Sequence, residues 1–134
     1  MNNILIIEEL NKLMDKAIKK HEVPVACIIT KNNKIIAKAY NKTLKTNNIL
    51  DHAEIIAIKK ASKKIHNWRL NECNMYVSLE PCSMCQEVIK KSRISNVIYY
   101  SKQNNNKTES EPNYKYIKNS VISDKLTNFF KKLR

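Results

Sequence analysis

The chain has 134 residues, 43% of them hydrophobic, with 25 basic against 12 acidic residues and a formal net charge of +13. This length and composition predict one folded domain over residues 1–134 and exclude a disordered chain. No stretch is long and apolar enough to span a bilayer, and the first residues carry no basic, apolar export signal, so the expectation is a cytoplasmic protein with no membrane partner. The charge excess points to a polyanionic partner or to a lysine-rich composition bias, and by itself decides neither.

Residues 4–21 form an amphipathic helix by pattern, with Leu10, Leu13, Met14, Ala17 and Ile18 recurring at three and four. Pro24 stops it. Residues 25–30 are a short apolar run expected to be a buried strand, and 35–40 the returning strand of a hairpin. Asn32 and Asn33 form the turn between them, because asparagine tolerates the left-handed backbone. Residues 41–50 are polar and irregular. A second helix is expected over 51–64, with Asp51 and Glu54 spaced as a capping box and Ile55, Ile58, Ala61 and Ile65 as its apolar stripe. A strand follows at 74–78, a third long helix at 81–91, a strand at 95–100, and a polar loop over 101–116 that contains Asn104, Asn105 and Asn106. Residues 117–122 read as a short strand, and Ser123 as the cap of a final helix carrying Leu126, Phe129, Phe130 and Leu133. Strands alternating with helices imply an α/β layered domain.

Two short segments carry chemistry: His52-Ala-Glu54 and Pro81-Cys82-Ser-Met-Cys85. Cysteines at i and i+3 share one face of a helical turn, and a helix start favours their thiolates. His52 adds a nitrogen donor, and the three suit zinc with a fourth position left for water. Glu54, two residues beyond His52, can lie beside that water without binding the metal. A closed structural site would need a fourth ligand from Cys27, Cys73, His21 or His66. The two cysteines expected in or beside strands suit a core, and the two histidines follow lysine-rich helix ends. A thioredoxin-like redox role for Cys82 and Cys85 leaves His52 and Glu54 unexplained. The combination of H-x-E with P-C-x-x-C is the pattern of zinc deaminases.

With Glu22-Val-Pro-Val-Ala, Asn67-Trp-Arg-Leu, Tyr76-Val-Ser-Leu-Glu-Pro-Cys-Ser-Met-Cys, Ser92-Arg-Ile and Leu126-Thr-Asn-Phe-Phe, the chain resembles bacterial tRNA-specific adenosine deaminases along nearly its whole length. The resemblance implies a three-layer α/β/α cytidine-deaminase-like fold with a central mixed sheet of about five strands. It implies one Zn2+ per chain on His52, Cys82 and Cys85, with Glu54 catalytic. It further implies a homodimer that converts adenosine to inosine at the wobble position of a tRNA anticodon stem-loop. Asn41 matches the asparagine set against the target base, Val25 and Ala26 match the pocket strand, and Ala53, Glu80 and Pro81 would complete the substrate site. Lys102, Gln103, Phe129, Phe130, Lys131, Lys132 and Arg134 would touch RNA. This chain departs from the family in Ala26-Cys27, where Gly-Ala is usual, and in Ser101-Lys102-Gln103, where Ala-Arg-Asp is usual. A deaminase of free nucleobases or nucleotides would use the same metal residues. A zinc-stabilised RNA-binding module would have no need of Glu54.

Overall fold

The computed structural model describes residues 3–103 and 112–133. Asn104, Asn105, Asn106 and Arg134 therefore lie outside the described residues. The elements run α1 (Asn3–Lys19), β1 (Ala26–Lys31), β2 (Lys34–Tyr40), α2 (Thr43–Thr46), α3 (Ala53–Ile65), β3 (Cys73–Val77), α4 (Ser83–Lys91), β4 (Asn96–Tyr99), β5 (Asn113–Tyr116) and α5 (Ser120–Lys132).

The five strands form one mixed sheet in the order β2-β1-β3-β4-β5. β1 is antiparallel to both β2 and β3, while β3, β4 and β5 run parallel. The β1–β2 hairpin closes through Asn32 and Asn33, at φ 51° and 60°. Two left-handed residues are what a tight hairpin turn requires, so the asparagine pair acts as expected.

Strand alternation divides the core between two faces. Cys27, Ile29, Met75, Val77, Val97 and Tyr99 pack with α3 and α4. Ala26 and Ile28 turn the other way and pack with Ile6, Leu10, Leu13 and Met14 of α1, Tyr100, and Ile122 and Leu126 of α5. Helices thus cover both faces of the sheet, in three layers. The inner face of α3 is made chiefly by Ala53, Ala57 and Ala61 with Ile55, while Ile58 and Ile65 are half-buried at its edge. Alanine at i, i+4 and i+8 lets the helix lie close on the sheet.

Three local expectations are corrected. Asp51 and Glu54 form no capping box: His52 occupies the N-cap without a side-chain cap bond. Asp51 instead sits 3.8 Å from Lys59 Nζ, and Glu54 is buried. The fifth strand is Asn113–Tyr116, not residues 117–122. There the alternating tyrosines extend the parallel register from β4, and Tyr116 stacks on Tyr99 with ring centroids 5.4 Å apart. The last helix begins at Ser120 and is capped by Asn119, whose side chain accepts from Ile122 N at 3.0 Å. Ser123 lies inside the helix, and Leu133, 68% exposed, falls off its buried stripe. No helix among the described residues is long and apolar enough to cross a membrane.

Replacing Asn119 with Ala should lower stability by about 1 kcal/mol through loss of the cap bond. Ser123→Ala should cost less than about half of that, since its hydroxyl caps nothing. Chemical denaturation of both variants checks the assignment.

Candidate metal centre and pocket

The starts of α3 and α4 meet at one edge of the sheet. His52 and Cys82 are the residues immediately before these helices, both in extended backbone, and Cys85 lies in the first turn of α4. Pro81 precedes Cys82, and its carbonyl accepts from Gln86 Nε2 at 2.8 Å, which holds the approach to α4.

His52 Nδ1 lies 3.4 Å from Cys85 Sγ and 3.7 Å from Cys82 Sγ. The three donor atoms lie within 4.8 Å of one another, and they are the only such His/Cys/Asp/Glu group among the described residues. A tetrahedral zinc ion with ordinary Zn–N and Zn–S bonds sets its nitrogen and sulfur ligands about 3.6 Å apart. The donor set and its spacing therefore fit one zinc ion, and no fourth ligand joins them among the described residues. Cys27 and Cys73 are fully buried in the core behind the site, and His21 and His66 are exposed at the ends of α1 and α3. None of the four expected alternatives joins the group.

The thiols are electrostatically unequal. Cys85 donates to Cys82, and with help from His52 this lowers the Cys82 thiol to about 5. The same hydrogen bond and burial push Cys85 up. Cys82 is thus poised as a thiolate, and a bound metal ion would take the place of the proton that Cys85 holds.

Glu54 is the second residue of α3, 3% exposed, with Oε1 lacking any hydrogen-bond partner among the described residues. Burial raises its carboxyl to about 7. An orphaned buried oxygen is costly, and its position beside a pocket gives it a use in proton transfer. Cys27, on β1 behind it, is held protonated by burial and then by the Glu54 carboxylate.

The pocket above these groups has a volume of about 310 Å³, in the range for a small organic ligand. His52, Glu54 and Cys82 form its polar end; Val25, Asn41, Glu80 and Gln103 line its sides. Ala26, Ala53 and Pro81 are not among the lining residues. Ala26 faces α1 by strand alternation, and Ala53 belongs to the core under α3. Glu80 Oε1 accepts from Gln103 N at 3.2 Å, and Gln103 Nε2 donates to the Glu80 carbonyl at 2.7 Å. Gln103 thereby closes one rim, and the second of these bonds needs the donor that an aspartate lacks.

Phe130, 43% exposed, reaches the pocket from α5. Phe129 is half-buried and meets Phe130 edge-on at 5.7 Å. Lys102, Lys131 and Lys132 are exposed, and Lys102 Nζ sits 4.8 Å from the centre of the Tyr116 ring. Lys125, by contrast, pairs with Asp15 at 2.9 Å and ties α5 to α1. Thr43 and Ile49 also line the pocket, from the segment that reads as irregular in sequence. Their only sequence cue is an apolar residue stranded in a polar run.

Residues 2–101 match the family model described as the cytidine and deoxycytidylate deaminase zinc-binding region. A tRNA-specific adenosine deaminase of Streptococcus pyogenes serotype M18 is 38% identical over 93 residues, which is 69% of this chain and 58% of that protein. The chain thus spans little more than half the length of this relative. A tRNA-specific adenosine deaminase of Rickettsia felis is 39% identical over 117 residues, covering 86% of this chain and 81% of the relative. A solved structure from work on A-to-I editing by tRNA:A34 deaminases at the wobble position of transfer RNA superposes with a TM-score of 0.76 at 25% identity, covering 83% of this chain and 95% of its own. The metal-ready donor set, the buried carboxylate and these likenesses agree, and the chain belongs to the cytidine and deoxycytidylate deaminase zinc-binding family.

Proposed function

We propose that this chain is a single-domain, zinc-dependent deaminase that converts adenosine to inosine at the wobble position of a tRNA anticodon stem-loop, as a cytoplasmic homodimer. The observation that carries the reading is Glu54: a fully buried carboxyl with a free oxygen, placed beside a three-donor metal site in a pocket of small-ligand size. The names of the relatives at 38% and 39% identity support adenosine in tRNA as the substrate.

His52, Cys82 and Cys85 hold the ion. Zinc, when bound, makes a neighbouring water acidic enough to lose a proton near neutral pH. Glu54 accepts that proton as the water oxygen adds to the ring carbon bearing the amino group. It delivers that proton to the adjacent ring nitrogen, takes the second from the hydroxyl now on the ring carbon, and passes it to the amino group, which leaves as ammonia as the C–N bond breaks and the carbonyl forms. A carboxyl near 7 suits a group that must both take and give a proton at neutral pH. Asn41 and Val25 hold the base, and Glu80 with Gln103 shapes the rim. The base must leave its stack to enter, which an anticodon loop permits at lower cost than a duplex. Phe130 offers it an apolar ring at the mouth, while Phe129 braces that ring. Lys102, Lys131, Lys132 and Arg134 meet phosphates.

The decisive assay incubates purified protein with an anticodon stem-loop carrying adenosine at the wobble position, and with free nucleobases. Inosine in the RNA supports the proposal; deamination of free bases alone overturns the RNA reading.

Cys82→Ala and Cys85→Ala should each lose the single zinc ion, and Cys73→Ala should keep it, as measured by elemental analysis. Zinc affinity should fall as pH drops, because Cys85 must shed its proton to ligate and, below about 5, Cys82 must as well. Glu54→Gln should retain zinc and fold while turnover falls by roughly 10²–10⁴-fold, the usual worth of a general acid–base group. Replacing Lys102, Lys131 and Lys132 together with Ala should weaken stem-loop binding and flatten its salt dependence, by about 0.7–0.9 in log–log slope for each phosphate left without its lysine. An unchanged slope would move the RNA surface elsewhere.

A further inference from the structure

Glu22 is a buried acid that the reaction does not use. It is 1% exposed and follows His21, whose φ of 61° turns the chain inward at the end of α1. Among the described residues it makes no ion pair. A carboxylate in such a place needs strong donors. Its donors come from Asn41 and from the loop that carries part of the pocket wall. Glu22 Oε2 accepts from Lys45 N at 2.9 Å, and Oε1 accepts from Leu44 N at 3.1 Å and from Asn41 Nδ2 at 3.5 Å. Asn41 Nδ2 also donates to Thr43 Oγ1 at 3.3 Å.

These bonds converge on one loop. Asn41 N is tied to Val25 O at 3.0 Å, and Lys42 N to Asp51 O at 3.0 Å, so the ends of the 42–51 loop are pinned together. Inside that closure, Asn41, Thr43 and Ile49 line the pocket. Asn41 is itself 6% exposed. Its amide could turn over at no steric cost, exchanging the donor and acceptor it offers to a ligand. An ionised carboxylate only accepts, so Glu22 takes the NH₂ end and forbids the flipped amide. The two Asn41 bonds, at 3.5 and 3.3 Å, are the longest of the set.

We propose that Glu22 is a positioning residue: it fixes the orientation of the Asn41 amide and the set of the 42–51 loop, and so determines how the base is gripped. The inference rests on the reading that this pocket holds the base to be deaminated. A purely structural staple would need the Leu44 and Lys45 amides alone; the bond to Asn41 and the second acceptor on Thr43 are what the positioning role adds.

The test is a double-mutant cycle between Glu22→Gln and Asn41→Ala, with KM and kcat measured on the wobble-adenosine stem-loop. Glu22→Gln keeps the shape but has one accepting oxygen where the carboxylate has two, so it cannot serve the Lys45 amide and the Leu44 and Asn41 donors together. In the parent background it should raise KM about tenfold with full zinc and with kcat changed less than about threefold. In the Asn41→Ala background it should change KM less than about twofold, because the partner through which it acts is gone. An equal KM effect in both backgrounds, or a loss confined to kcat or folded fraction, overturns the proposal. Should Glu22→Gln fail to fold, Thr43→Val decides: a rise of about threefold in KM supports the positioned amide, and parental KM overturns it. A parent protein that forms no inosine fails the activity reading and not this one. The tether is then read on the Asn41 side-chain NH₂ by hydrogen exchange, where it should exchange about tenfold faster in Glu22→Gln, and a parental rate at Asn41 overturns the proposal.

Discussion

Three donor atoms from two helix starts, 30 and 33 residues apart in sequence, come within bonding reach of one ion. The rest of the structure follows from that convergence. α3 and α4 must lie side by side on the same face of the sheet, with their N-terminal ends at the same edge. The strand directions allow it: β2, β3 and β4 run the same way, so α3 between β2 and β3 and α4 between β3 and β4 are both crossovers on that face. The alanine stripe of α3 sets how close the helix can come, and a larger side chain at Ala53 or Ala57 would lift His52 and Glu54 together. Metal geometry and core packing are therefore one constraint: the helix that carries the nitrogen donor and the acid is positioned by its smallest residues.

The sequence carries this centre openly because its signals are local. Cys82 and Cys85 are one helical turn apart, and His52 and Glu54 two residues apart, so any structure that starts helices there places them in pairs. The hairpin was equally legible, from two asparagines at a site demanding left-handed backbone. The C-terminal third was harder to read. Residues 117–122 look like a strand by apolar content, but Asn119 supplies a cap and Ile122 and Leu126 a four-residue period, and the helix wins. The true strand, Asn113–Tyr116, sits at the sheet edge with mostly exposed side chains, so hydrophobic alternation barely marks it. Asp51 and Glu54 have capping-box spacing, yet the buried position of Glu54 turns its side chain away from the helix start.

Glu22 is legible only as the first residue of the Glu22-Val-Pro-Val-Ala resemblance, which says nothing of its burial or its partners. It becomes buried only because the 42–51 loop folds back over it, and the donors that hold it are backbone amides with no sequence signature. The pocket wall made by Thr43 and Ile49 is hidden by the same long-range closure. Gln103 is a parallel case at the opposite rim: its paired hydrogen bonds with Glu80 depend on the chain beyond β4 returning to the loop before α4.

The positive charge is likewise sorted by structure and not by composition. Lys125 is held against Asp15 and Lys59 lies near Asp51, so these two lysines are matched by acids and the excess lies in others. Lys102, Lys131 and Lys132 remain exposed on the side of the pocket that Gln103 and Phe130 line. A charged ligand drawn to that side meets aromatic surface before it meets the buried carboxyl. The long-range field there is screened within about 8 Å at physiological salt, so those lysines act on phosphates near the rim and add little to the field at Glu54. What sets the carboxyl near neutrality is its own burial. Attraction of a polyanion and tuning of the proton carrier are thus separate properties of this chain, one carried by its surface lysines and the other by the packing of α3.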